Sequence, residues 1–198
     1  MEYKNLSIYL GSKCNANCTY CHRDITSDVS LSTQFLQNIS NNTQLKKVKF
    51  FGGEPTLYLS EMQSIIDALP NKDVKKWIST NGLLLTKDKV FDFILNNNII
   101  VTISYDGSRG LRQYKNIFDD EAYLKRLQQL NRIDTSTTIF KNNAFYFSEL
   151  LKEFDELSRK TKKKYYLVST LYALFRQINT NALFEFNHCS HGRIFTSI

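Results

Sequence analysis

Three of the four cysteines lie within eight residues, Cys14-Asn15-Ala16-Asn17-Cys18-Thr19-Tyr20-Cys21, and the fourth, Cys189, stands near the other end of the chain. Three together and one apart is not a disulfide framework; it is a ligand pattern. A loop of this length can curl all three sulfurs around one metal or cluster. A structural zinc site wants four N or S ligands. His22 stands beside Cys21, but adjacent residues rarely coordinate one ion, and no second paired-ligand motif lies nearby. An iron–sulfur cluster held by three thiolates would leave one iron open to a non-protein ligand, and soft thiolates suit either metal. The remaining reading is three buried, unliganded thiols, which fits poorly with so polar a loop. Cys189 by itself reads as a small buried hydrophobe, with His188 and His191 at the surface or facing substrate.

A second motif, Gly52-Gly53-Glu54-Pro55, follows an apolar run. Two glycines permit a ligand or another backbone to approach closely, and Glu54 offers an acceptor to an ammonium group. Taken alone, the motif reads equally as a turn with a solvated Glu. Two further polar corners, Ser79-Thr80-Asn81-Gly82 and Ser104-Tyr105-Asp106-Gly107, also follow apolar runs.

The elements that must position these residues alternate. Strand-like runs cover 6–10, 47–51, 76–80, 99–105, 135–140 and 165–171, with amphipathic helical stretches at 32–41, 59–69, 87–96, 120–130 and 144–161. Ser32, Thr86 and Asn143 are the expected helix caps. Six strand–helix units without a hairpin signal imply parallel strands joined by right-handed crossovers. The fold class is therefore α/β, as an open doubly wound sheet or a partial barrel. In such folds function gathers at the carboxyl ends of strands, where all four polar loops fall.

The chain has 198 residues, 42% hydrophobic and 23% charged, with 7 Gly and 2 Pro. That suits one globular domain and excludes disordered, collagen-like and Pro-rich classes. No apolar run is long enough to span a bilayer, and the N-terminus lacks a signal-like apolar segment, so a cytoplasmic protein without membrane contact is expected. The formal net charge of +7 fits a Lys-rich solvated surface or a polyanionic partner such as RNA, DNA or an acidic peptide. The run at 159–164 also suits the end of a helix.

Together, C-x-x-x-C-x-x-C after a first strand, Tyr20 before the third Cys, and Gly-Gly-Glu-Pro after a second strand resemble the radical S-adenosylmethionine (SAM) enzyme superfamily. The resemblance runs along essentially the whole chain. It implies a partial (β/α)6 barrel with parallel strands. It implies that Cys14, Cys18 and Cys21 bind a 4Fe-4S cluster whose fourth iron takes the amino and carboxylate groups of S-adenosylmethionine. Gly52, Gly53, Glu54 and Pro55 match the motif that receives the methionine amino group. Ser104 matches a position contacting ribose or carboxylate, Tyr20 one beside adenine, and Asn81 and Asp106 line the same rim, Asp106 as the candidate catalytic group. The chemistry implied is reductive cleavage of SAM to a 5′-deoxyadenosyl radical that abstracts hydrogen from substrate.

The segments Ile103-Ser104-Tyr105-Asp106-Gly107, Thr138-Ile139-Phe140-Lys141-Asn142-Asn143 and His188-Cys189-Ser190-His191-Gly192-Arg193 resemble the SPASM-related branch, which modifies peptides and proteins. A peptide or protein substrate and an external flavodoxin- or ferredoxin-type electron donor follow. Residues 1–185 read as the core domain and 186–198 as a short C-terminal segment, either the end of a minimal core enzyme or the truncated start of a Cys-rich extension. Competing readings are a small radical SAM enzyme acting on a nucleobase or nucleotide or activating a glycyl-radical enzyme, a zinc-stapled basic nucleic-acid-binding module, and a non-catalytic relative that binds a partner.

Overall fold

A computed structural model describes residues 3–21, 30–107, 117–139, 146–162, 165–171 and 195–196. Among the described residues seven parallel strands form one sheet: β1 (Asn5–Tyr9), β2 (Lys47–Phe51), β3 (Lys75–Thr80), β4 (Ile99–Ser104), β5 (Ile133–Ile139), β6 (Tyr165–Leu171) and β7 (Phe195–Thr196). Their spatial order is their chain order, β1 through β7, with β1 and β7 at the edges. A doubly wound sheet reverses its strand order at a switch point, so the sequential order selects the open-barrel alternative. Six strands lie where the sequence reading put them. β7 is an addition: it pairs with β6 and falls within 186–198.

The helices are α1 (Thr33–Ser40), α2 (Leu59–Asp67), α3 (Asp88–Asn96), α4 (Glu121–Leu127) and α5 (Phe147–Thr161). Right-handed crossovers between sequential neighbours put every helix on the same face of the sheet. That face is apolar. In β2 the wholly buried Val48 and Phe50 alternate with Lys47, Lys49 and Phe51, which are half-buried or exposed. Ile78, Val101, Ile103 and Ile133 continue the buried face, and Ile39, Met62, Ile65, Ile94 and Leu127 of the helices cover it. Burial of each such side chain contributes about 1.5–3 kcal/mol, and this layer holds the strand ends in register.

Ser32 caps α1 as expected, its hydroxyl accepting from the Phe35 amide at 3.2 Å. Asp120 does the same for α4, accepting from Ala122 and Tyr123. Thr86 is not the cap of α3. It ends a 3₁₀ turn, Leu83–Thr86, and its hydroxyl donates to the Leu83 carbonyl, so the helix begins one residue later with Lys87 at its N-cap. The Asn81-Gly82 corner opens that turn with Gly82 in the left-handed region. The α5 helix begins at Phe147, with Glu149 in its first turn; the expected cap Asn143 lies outside the described residues. Among the described residues no helix is long and apolar enough to cross a membrane.

Candidate functional site

The loop bearing Cys14, Cys18 and Cys21 leaves the carboxyl end of β1 and is fastened along its stem to the end of β2. Beyond the paired strands, Leu10 N–H donates to Phe51 O at 2.9 Å, Gly53 N–H to Gly11 O at 2.8 Å, and Glu54 N–H to Lys13 O at 2.7 Å. The parallel ladder thus runs on into the two motifs and ends one residue before Cys14. The glycines explain why this is possible. A Cβ on Gly52 would sit 2.5 Å from Gly11 O, and one on Gly53 would sit 2.4 Å from Lys13 O. These glycines admit the backbone of the cysteine loop. The Tyr58 hydroxyl completes the stem by accepting from Lys13 N–H at 2.8 Å.

Glu54 is fully buried, with 0% exposure. Its Oε1 accepts from the Thr56 amide at 3.0 Å, the Thr56 hydroxyl at 2.6 Å and the Thr80 hydroxyl at 2.7 Å. Its Oε2 accepts from the Asn81 amide at 2.8 Å. A buried carboxylate needs such compensation, and four donors from the ends of β2 and β3 provide it. The side chain is therefore neither a solvated turn residue nor an open acceptor: it ties the second rim loop to the third. Pro55 opens the 3₁₀ turn Pro55–Leu57 that Glu54 caps, where a missing N–H costs nothing.

Asn81 is placed by the same clamp and is 5% exposed. Its Nδ2 donates to Asn15 Oδ1 at 2.8 Å and approaches Cys14 Sγ at 3.9 Å. The Ala16 amide donates to the same sulfur at 3.4 Å. On the far side of the loop the Tyr20 hydroxyl donates to Asp106 Oδ2 at 2.6 Å. Asp106, 7% exposed, also accepts on Oδ1 from the Thr138 amide at 3.0 Å and the Thr137 hydroxyl at 3.4 Å. Ser104 ends β4 and is half-buried, in register with Ser136 of β5.

The structure thus brings Cys14, Tyr20, Gly52, Gly53, Glu54, Asn81, Ser104 and Asp106 to one rim. Among the described residues no three His, Cys, Asp or Glu side chains are already gathered at metal-binding distance. None of the three loop cysteines is in a disulfide; Cys14 and Cys18 are half-buried and Cys21 is exposed. The donor set nevertheless fits a cluster: three soft ligands on one loop, with one sulfur already receiving two N–H groups, as a thiolate ligand would. His22, His188, Cys189 and His191 lie outside the described residues. Thr56, Tyr58, Thr80 and Thr137 were not legible as site residues. Only their adjacency to the polar corners signals Thr56 and Thr80.

Parallel barrels work at the carboxyl rim of their strands, and an enzyme of the open α/β-barrel class is what this rim defines. Residues 8–140 match the radical SAM superfamily, and the chain belongs to that superfamily. The cofactors of that superfamily are a 4Fe-4S cluster and S-adenosylmethionine. The chain is 24% identical over 185 residues to the radical SAM cyclopropyl synthase TigE of Paramaledivibacter caminithermalis, covering 77% of this chain and 39% of TigE. It is 30% identical over 168 residues to a probable GTP 3′,8-cyclase of Methanocaldococcus jannaschii, covering 79% of this chain and 54% of the cyclase. The solved structure of native anSMEcpe with bound AdoMet and Kp18Cys peptide superposes with a TM-score of 0.65 at 20% identity. That superposition covers 84% of this chain and 51% of anSMEcpe. The chain spans about half or less of each of these proteins.

Proposed function

We propose that this radical SAM enzyme abstracts hydrogen from a peptide or protein side chain, with Cys14, Cys18 and Cys21 holding the 4Fe-4S cluster. When bound, the cluster and S-adenosylmethionine supply reductive carbon–sulfur cleavage and a 5′-deoxyadenosyl radical. The chain's own residues do the rest. Gly52 and Gly53 keep the cysteine loop against β2. The Glu54 carboxylate, buried and bonded by four donors, fixes the second and third loops to one another, and the Gly52-Gly53-Glu54-Pro55 segment receives the methionine ammonium in this reading. Tyr20 and Asp106 hold the loop's far end toward β4 and β5, and Ser104 offers a hydroxyl beside them for ribose or carboxylate. An external flavodoxin- or ferredoxin-type protein would provide the electron, in the cytoplasm. Residues 1–185 form the core in this reading, and 186–198 continue from it.

The observation that carries the peptide reading is the Ser104-Tyr105-Asp106-Gly107 segment at the end of β4, which resembles the peptide-modifying branch and here anchors the cysteine loop. The peptide bound by anSMEcpe supports it. So does the +7 charge, which would steer an acidic leader peptide toward the protein. A nucleotide substrate is the second reading, favoured by the similarity to the GTP 3′,8-cyclase. Reconstituted, reduced protein is to be offered acidic peptides and, separately, nucleotides. Stimulated 5′-deoxyadenosine formation, with deuterium moving from a labelled peptide into it, is the expected result. Stimulation by GTP or another nucleotide, and by no peptide, replaces the peptide reading with the nucleotide one.

A further inference from the structure

The geometry points to Asn81 as the residue that sets the reduction potential of the cluster through the Cys14 sulfur; this rests on the reading of Cys14 as a cluster ligand. The side-chain amide carries two hydrogens, and the structure gives each a direction: one to Asn15 Oδ1 at 2.8 Å, the other toward Cys14 Sγ at 3.9 Å. Which atom of the amide faces the sulfur is fixed by the rest of the network. Oδ1 must accept from the Leu83 amide at 3.0 Å, which leaves Nδ2 for the loop.

Asn81 is also held by its main-chain N–H on the buried Glu54 carboxylate, and the residue is almost wholly enclosed. It is not a surface amide that meets the thiol by chance. It comes from the end of β3, whereas Ala16, the other donor to the same sulfur at 3.4 Å, belongs to the loop itself. A donor aimed at a ligating sulfur stabilises the more negative, reduced cluster and raises its potential. Asn81 therefore couples a strand of the barrel to the electronics of a cluster carried on a neighbouring loop.

The test uses the full chain, reconstituted anaerobically. Asn81→Leu removes both donors without adding charge. Asn81→Ser keeps an uncharged acceptor for the Leu83 amide on a side chain without the amide donors, and serves where the leucine variant fails to fold. Each is titrated with a reductant and followed by electron paramagnetic resonance. At the parent's midpoint, the reduced-to-oxidised ratio is expected to fall about tenfold, which is about 59 mV for a one-electron couple. Asn15→Ala, which spares the amide, should leave the midpoint no lower than the parent's. An iron-loaded Asn81 variant whose ratio stays within about twofold of the parent overturns the inference, as does an equal fall in Asn15→Ala. A parent protein that takes up no iron fails differently: it removes the reading of Cys14 on which the inference rests.

Discussion

The phenol of Tyr20 donates to the carboxylate of Asp106 at 2.6 Å, joining the cysteine loop after β1 to the end of β4 across 86 residues of chain. Asp106 in turn accepts from the Thr138 amide and the Thr137 hydroxyl of β5, so one carboxylate ties three rim segments together. Tyr20→Phe is expected to cost about 1.5–3 kcal/mol, the range for a hydrogen bond to a charged group whose partner stays buried. Asp106→Asn should cost a similar amount, and the two together less than their sum, because the bond can be lost only once. Urea unfolding of the four proteins measures this. Strict additivity would mean that the pair does not hold the loop.

Glu54 has no exposed surface, and four donors converge on its two oxygens. Glu54→Gln keeps the volume but turns one acceptor into a donor facing the Asn81 amide or the Thr hydroxyls. The cost in the cluster-free protein should be at least about 2 kcal/mol, since buried donors are left unmatched. The prediction separates two roles. A ligand-facing glutamate would lower SAM affinity and leave the stability of the cluster-free protein unchanged; a clamp lowers that stability first, and a changed urea midpoint without any cofactor shows it.

Much of this arrangement was legible in the sequence. The apolar runs at 47–51, 76–80 and 99–105 located the strands because Val48, Phe50, Ile78, Val101 and Ile103 are buried in the core that the helices cover. The spacing of Cys14, Cys18 and Cys21, with Gly52 and Gly53, located the rim. What stayed hidden was where the polar side chains are spent. Glu54 reads as a free acceptor because nothing local shows that Thr80 and Asn81, 26 and 27 residues away, supply its donors. The bond between Tyr20 and Asp106 is hidden for the same reason, since the two stand 86 residues apart. Long-range hydrogen bonds leave no period in a sequence, whereas packing faces do.

Gly53 makes a sharper claim about the loop. An added Cβ would lie 2.4 Å from Lys13 O and 2.5 Å from Ser12 O, both main-chain atoms that cannot swing aside. Gly53→Ala should therefore push the stem of the cysteine loop off β2, at about 1–3 kcal/mol for an overpacked contact. Amide hydrogen exchange at Gly53 and Glu54, whose N–H groups bond Gly11 O and Lys13 O, should accelerate. Unchanged protection there would show that the loop moves freely enough to absorb a methyl group.

Lys49 gives a pH-dependent prediction. Burial and the neighbouring Lys47 hold its pKa below the ordinary 10.5, while Asp134 opposes them. A lysine whose pKa is lower folded than unfolded penalises folding while it is charged, and the penalty fades as pH rises through the lowered value toward 10.5. Lys49→Met should raise the urea midpoint at pH 7, and that gain should shrink on going to pH values near 10.5. A gain that stays constant across this range would trace to packing and not to charge.

The last prediction concerns the metal. The loop cysteines sit on a polar segment, one half-buried sulfur already receives two N–H groups, and the three are not in disulfides. Among the described residues they do not yet meet at one point, which is expected where ligand convergence comes with the metal. Anaerobic reconstitution should give a brown protein with about four irons per chain, and Cys14→Ala, Cys18→Ala and Cys21→Ala should each lose most of it. Cys189→Ala should leave the iron content unaltered. Iron uptake should also slow exchange at the Cys21 amide, which donates to Cys18 O at 3.1 Å between two residues that the cluster would ligate. Stoichiometric zinc in anaerobically purified protein, with no iron uptake, would make the loop a structural staple and reopen the nucleic-acid-binding reading.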